Sequence, residues 1–178
     1  MAAKSDCPEC GGTGWKDAAK GDIAAVERCG CAGEQRQESL FSRAGIPSRF
    51  QTAGFDNFKL PGDNPIAART LSDAMIAARG YAREYPLAPK NGLFFQGPPG
   101  AGKTHLAAAV LRELIERGFE CVFFDYQNLL DRIRAGYNAA AGTSDRAAYR
   151  VALDTEVLLL DDLGSHRVSN WVEDTVTS

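Results

Sequence analysis

At 178 residues, with 44% hydrophobic and 24% charged side chains, the chain is long enough for one core and a small appendage and has the balance of an ordinary globular protein. A formal net charge of −3 argues against a protein that coats nucleic acid by electrostatics alone, although it leaves room for a few arginines in an oligomer's channel. The N-terminus, MAAKSDCPEC, lacks the apolar core of a signal peptide, and no apolar run reaches the length of a membrane span, so a cytoplasmic protein with no membrane partner is expected.

Four of the five cysteines fall in the first 33 residues, as Cys7-Pro-Glu-Cys10 and Cys29-Gly-Cys31. A reducing compartment disfavours disulfides there. The stretch between the pairs has few core-forming side chains, so a segment this small needs a staple. A tetrahedral Zn²⁺ site built from the four thiolates supplies one, and glycines at 12 and 14 let backbone N–H groups turn toward sulfur. Four sulfur ligands leave no open position, which makes such a zinc structural; a redox pair or free thiols are the alternatives. The run resembles one repeat of the DnaJ-type cysteine-rich module, a single repeat being less than that domain. Residues 1–33 thus read as a zinc-ribbon-like, knuckle-bearing module, whereas Cys121, in ECVFFDY, reads as a small buried hydrophobe.

A connector is expected over 34–64, with a polar helical start (EQRQESLFSRAG) closed by Gly45 and Pro47. After Pro61-Gly62, the stripe Ile66, Leu71, Met75, Ala78, Tyr81 and Tyr85 predicts a helix packed on a sheet, with Arg69, Arg79 and Arg83 in solvent and Pro86 and Pro89 marking its end.

Residues 92–105, GLFFQGPPGAGKTH, then carry the most specific signal. Leu93–Phe95 reads as a buried strand and Leu106–Arg117 as a helix. Between them Gly97, Pro98, Pro99, Gly100, Ala101, Gly102, Lys103 and Thr104 fit G-x-x-x-x-G-K-[ST], in which backbone N–H groups wrap a polyphosphate, lysine reaches the β and γ phosphates and threonine holds Mg²⁺. His105 adjoins this loop and is counted with it by position, yet neither it nor His166 has a partner in sequence, so both read as packing or surface residues. A strand over 120–126, a helix over 127–134, a loose Ala/Gly segment to 143 and a short helix lead to VLLLDDLG at 157–164, whose unbroken apolar run belongs inside a parallel sheet. Its two acids end at the ligand side of such a sheet, where Asp161 can hold the Mg²⁺ shell and Asp162 can polarise an attacking water. Strands alternating with helices give an α/β fold with a parallel sheet and right-handed connections.

With these residues in hand, GPPGAGKTHLA followed by LLLDDLG and SNWVEDTV resembles the AAA+ P-loop ATPases of the bacterial helicase-loader group, the DnaC/DnaI type, with IstB proteins as near relatives. The GIPSRF stretch (45–50) and FDNF (55–58) are similar to the segment before the ATPase core in that group. Most AAA+ proteins carry Asp-Glu at the end of this strand, so Asp162 follows the variant such loaders share. The resemblance implies an AAA+ core over 65–178, ATP and Mg²⁺ as ligands, Lys103 and Asp162 in hydrolysis, a homo-oligomer at full length, and single-stranded DNA and a replicative DNA helicase as partners. An IstB-like transposition helper that binds DNA and a transposase, and a zinc-stabilised adaptor without motor activity, are the competing readings. In the resembling group the sheet order is 5-1-4-3-2, so a further strand, a sensor, an arginine finger and a helical lid follow the Asp-Asp strand. A core truncated after that strand, binding ATP with little turnover, is the corresponding expectation.

Overall fold

The computed structural model describes residues 4–20, 23–89, 91–137 and 150–163. The chain divides into two compact units, Met1–Arg43 and Ala44–Ser178, and the boundary falls inside the stretch expected as a connector.

In the first unit, strands β1 (Trp15–Lys20) and β2 (Ile23–Arg28) form an antiparallel hairpin registered Trp15 to Arg28, and helix α1 (Cys31–Arg43) follows. The hairpin is short and leaves Trp15 and Val26 exposed, and the buried cluster beside it is made of Cys7, Cys10, Cys29 and Cys31. Lys16 lies 3.5 Å from Glu9 and 3.3 Å from Glu27, and the Arg28 guanidinium sits over the Trp15 ring. These contacts are exposed and add little stability.

The second unit is built on helix α3 (Lys103–Glu116), whose Leu106, Leu114 and Ile115 are fully buried. It packs against α2 (Pro65–Glu84) and against a parallel pair of strands, β3 (Cys121–Asp125) and β4 (Val157–Asp161). Their register runs from Cys121 opposite Val157 to Asp125 opposite Asp161. Phe124 and Leu160 join Leu129 of α4 (Tyr126–Tyr137) and Ala152 on one face. The twofold alternation of a strand therefore turns Phe123 and Leu159 to the other face, which α3 covers. Asn64 caps α2, its side chain accepting from Ala67 N–H at 3.0 Å, and Pro65 starts the helix where its missing N–H does no harm.

Three expectations change here. The stripe on α2 holds at Ala78, which is buried with its neighbour Ala82, but at the start of the helix Ile66 is 82% exposed. Arg79, expected in solvent, donates from Nη2 to Asp56 at 3.0 Å and lies over the Phe55 ring. The expected strand at Leu93–Phe95 is not formed among the described residues, and Phe94 is exposed. The physical reason is pairing: a strand needs a neighbour for its ladder, and a cleft of about 730 Å³ separates residues 91–97 from β4. The other edge of β3 is partly covered, since Phe123 N–H donates to Ala44 O at 2.7 Å. Gly45, at φ 67°, makes the turn that allows this approach; a Cβ there would stand 3.4 Å from Phe123 O. His166, Gly164 and the SNWVEDTV segment lie outside the described residues. Among the described residues no helix is long and apolar enough to cross a membrane.

Candidate functional site

Two separate sites emerge, one in each unit. In the first, the turn after Cys7 is closed by Gly11 N–H to Cys7 O at 2.8 Å, and Gly14 N–H donates to Cys10 Sγ at 3.4 Å. Gly12 is in the left-handed region, and a Cβ on it would come within 3.0 Å of Ser5 O. Cys29 ends the hairpin and Cys31 opens α1, so the second pair approaches from the opposite side. Cys7 Sγ lies 3.7 Å from Cys29 Sγ and Cys10 Sγ 3.5 Å from Cys31 Sγ, with all four sulfurs within 4.8 Å of one another. Tetrahedral thiolates around Zn²⁺ at about 2.3 Å stand about 3.8 Å apart, so the donor set and its spacing fit that ion. Burial pushes the Cys10 thiol up, but donors from Gly14, Cys31, Gly12 and Cys7 outweigh it and bring it down to about 7. Cys29 gains from the Cys31 backbone N–H, yet desolvation and the neighbouring thiols drive it up to about 12. Four buried thiolates repel one another, and a divalent cation at their centre is what would let all four deprotonate together.

In the second unit, the loop 97–102 turns through three glycines with positive φ, Gly97, Gly100 and Gly102. Gly102, at φ 85°, is the N-cap of α3 and has no side-chain cap, so the first N–H groups of the helix stay open toward the loop. Lys103 Nζ donates to Gly97 O and Pro98 O, each at 3.0 Å, and holds the loop in a closed ring. Thr104 Oγ1 donates to Asp161 Oδ1 at 3.0 Å across 57 residues of sequence. This is the contact expected if loop and strand serve one cation, and a hydroxyl beside a carboxylate is an oxygen donor pair suited to Mg²⁺. Asp162 follows in the left-handed region at φ 56°, which aspartate tolerates better than most residues. The cleft beside β4 reaches Gly97, Pro99, Lys103, Asp161 and Asp162 at its polar end.

His105 turns its Nε2 to Gly54 O at 2.9 Å, and its ring centroid lies 5.4 Å from that of Phe58. Arg112 Nη1 donates to Ala53 O at 2.8 Å. The turn 52–58 is knit internally as well, with Gly54 N–H donating to Asn57 Oδ1 and Asn57 Nδ2 to Thr52 O. Sequence spacing gave no sign that this turn lies against the phosphate loop; the FDNF run was its only marker.

Residues 86–175 match the family described as IstB-like ATP binding protein. The replicative helicase loader DnaC of Escherichia coli (strain K12) is 26% identical over 148 residues, covering 83% of this chain and 56% of the loader. YqaM of Bacillus subtilis (strain 168) is 27% identical over 173 residues, covering 92% of this chain and 50% of that protein. The chain thus spans about half the length of these curated relatives. A crystal structure of the DnaC helicase loader superposes with a TM-score of 0.61 at 28% identity, covering 74% of this chain and 70% of that one. The second unit is accordingly a P-loop NTPase fold homologous to DnaC, and the chain belongs to the family of IstB-like ATP binding proteins.

Proposed function

We propose that this chain binds Mg-ATP and acts in DNA replication as a loader of a replicative helicase, in the cytoplasm. The observation that carries the reading is the Thr104–Asp161 contact, which joins the end of the glycine loop to the end of β4. In this reading the N–H groups of residues 97–102 and the head of α3 take the phosphates, and Lys103 trades its two carbonyl partners for phosphate oxygens. Thr104 and Asp161 hold Mg²⁺, whose charge offsets that of the phosphates, and Asp162 orients the attacking water. The four-cysteine unit carries structural zinc and provides the helicase contact, with single-stranded DNA and further copies of the chain completing the assembly. The homology to DnaC supports the partner class.

Calorimetry with ATP tests the first step. Binding should need Mg²⁺ in the parent chain, and Thr104→Ala and Asp161→Asn should each remove most of the Mg²⁺ enhancement. Equal Mg²⁺ dependence in all three proteins would reject the assignment of these two side chains. The family match also favours a second reading, a transposition helper that binds duplex DNA and a transposase. A preference for duplex over single-stranded DNA, with no ATP-dependent co-elution with a hexameric replicative helicase, would select it.

A further inference from the structure

The turn 52–58 is held to α3 from three directions, although nothing in its composition marks it as a ligand segment. Arg112 grips Ala53 O, His105 grips Gly54 O, and the Phe58 ring lies against the first turn of the helix. That last contact is close. A Cβ built on Gly102 would fall 2.5 Å from Phe58 Cε2 and 3.0 Å from its Cζ, so the ring fills the space beside the residue where the phosphate loop becomes a helix. The ring also leans on His105, two residues past Lys103.

Gly102 is the glycine at which the loop becomes a helix. It lacks a Cβ and a side-chain cap, and it sits at φ 85° with several other backbone conformations open to it. Its torsions decide where Lys103 Nζ and Thr104 Oγ1 point, since both residues follow it directly in α3. A ring packed against its open side removes the conformations that would swing through that volume. Ordering a loop in advance lowers the entropy that a ligand must supply on binding.

We infer that Phe58 is a positioning residue for phosphate binding: wedged between Gly102 and His105, it fixes the left-handed turn at Gly102 and so presets Lys103 and Thr104. The inference rests on the Mg-ATP reading above and extends it to a residue that touches the loop rather than the phosphates. Because the wedge acts on the loop, its effect belongs to the polyphosphate and not to the base.

The test compares Mg-ATP with Mg-tripolyphosphate, which has no base, on the full chain. Phe58→Ala should weaken both by the same factor, about tenfold, with Phe58→Leu falling between it and the parent. Thermal unfolding of the unliganded proteins is read alongside; if Phe58→Ala does not fold, the comparison is made on Phe58→Leu. A loss confined to ATP would mean that the ring contacts the base, and the inference would be wrong. Unchanged affinity for both ligands in a folded variant, with only the unfolding midpoint lowered, would reduce Phe58 to core packing and also overturn it. If the parent chain bound neither ligand, the Mg-ATP reading itself would fail, an outcome distinct from the other two.

Discussion

Lys103 spends its ammonium on two carbonyls of its own loop, so removing it both opens the ring and deletes the charge that would meet phosphate. Two charge-assisted hydrogen bonds to phosphate oxygens are worth about 3 kcal/mol together, so Lys103→Ala should weaken ATP on the order of a hundredfold in a calorimetric titration. Lys103→Arg should not restore it, because the larger guanidinium does not fit the two-carbonyl seat as a point charge does. At the other site each sulfur has the other three as neighbours, so no single cysteine is dispensable. Cys7→Ser should lower zinc well below one ion per chain by elemental analysis, and Cys10→Ser should match it. Protons compete with the metal for the same sulfurs, so zinc affinity should fall as pH is lowered.

At the level of elements, the helices were largely legible and the sheet only in part. α3 follows from the run LAAAVLRELIER, and α2 from its stripe, its Asn64 cap and Pro65. β3 and β4 fell where β-branched, aromatic and leucine runs put them, and the sequence also named Thr104 and Asp161, which meet at 3.0 Å. Leu93–Phe95 failed as a strand because apolar content is a local property while a ladder is shared with a neighbour. The docking of the turn 52–58 was not legible for a similar reason: its bonds to His105, Arg112 and Arg79 join residues 23 to 59 positions apart, and no period records them. Gly45 offers a check on the same principle. Its left-handed φ of 67° strains a β-branched residue whatever the space around it, so Gly45→Val should destabilise the second unit by about 2 kcal/mol in urea unfolding. Asn64→Ala, which removes a cap but no packing, should cost about 1 kcal/mol.

Over the whole molecule, the two compact units have different centres, a buried cluster of four thiols spaced to hold a metal in one and an apolar helix-on-sheet core in the other. Chelation should therefore abolish the near-ultraviolet signal of Trp15 while leaving the helical circular dichroism of the second unit in place; loss of both together would show that the units fold as one. α3 has a further consequence. The helix that supplies Leu106, Leu114 and Ile115 to the core also begins with Lys103 and Thr104, so whatever binds its first turn enters the unfolding equilibrium of everything packed on its length. By linkage, ATP at a hundred times its Kd adds about 2.7 kcal/mol to that unit alone. A scan of the intact chain should then resolve two transitions with separate chemical handles, one that climbs with nucleotide and one that climbs with zinc.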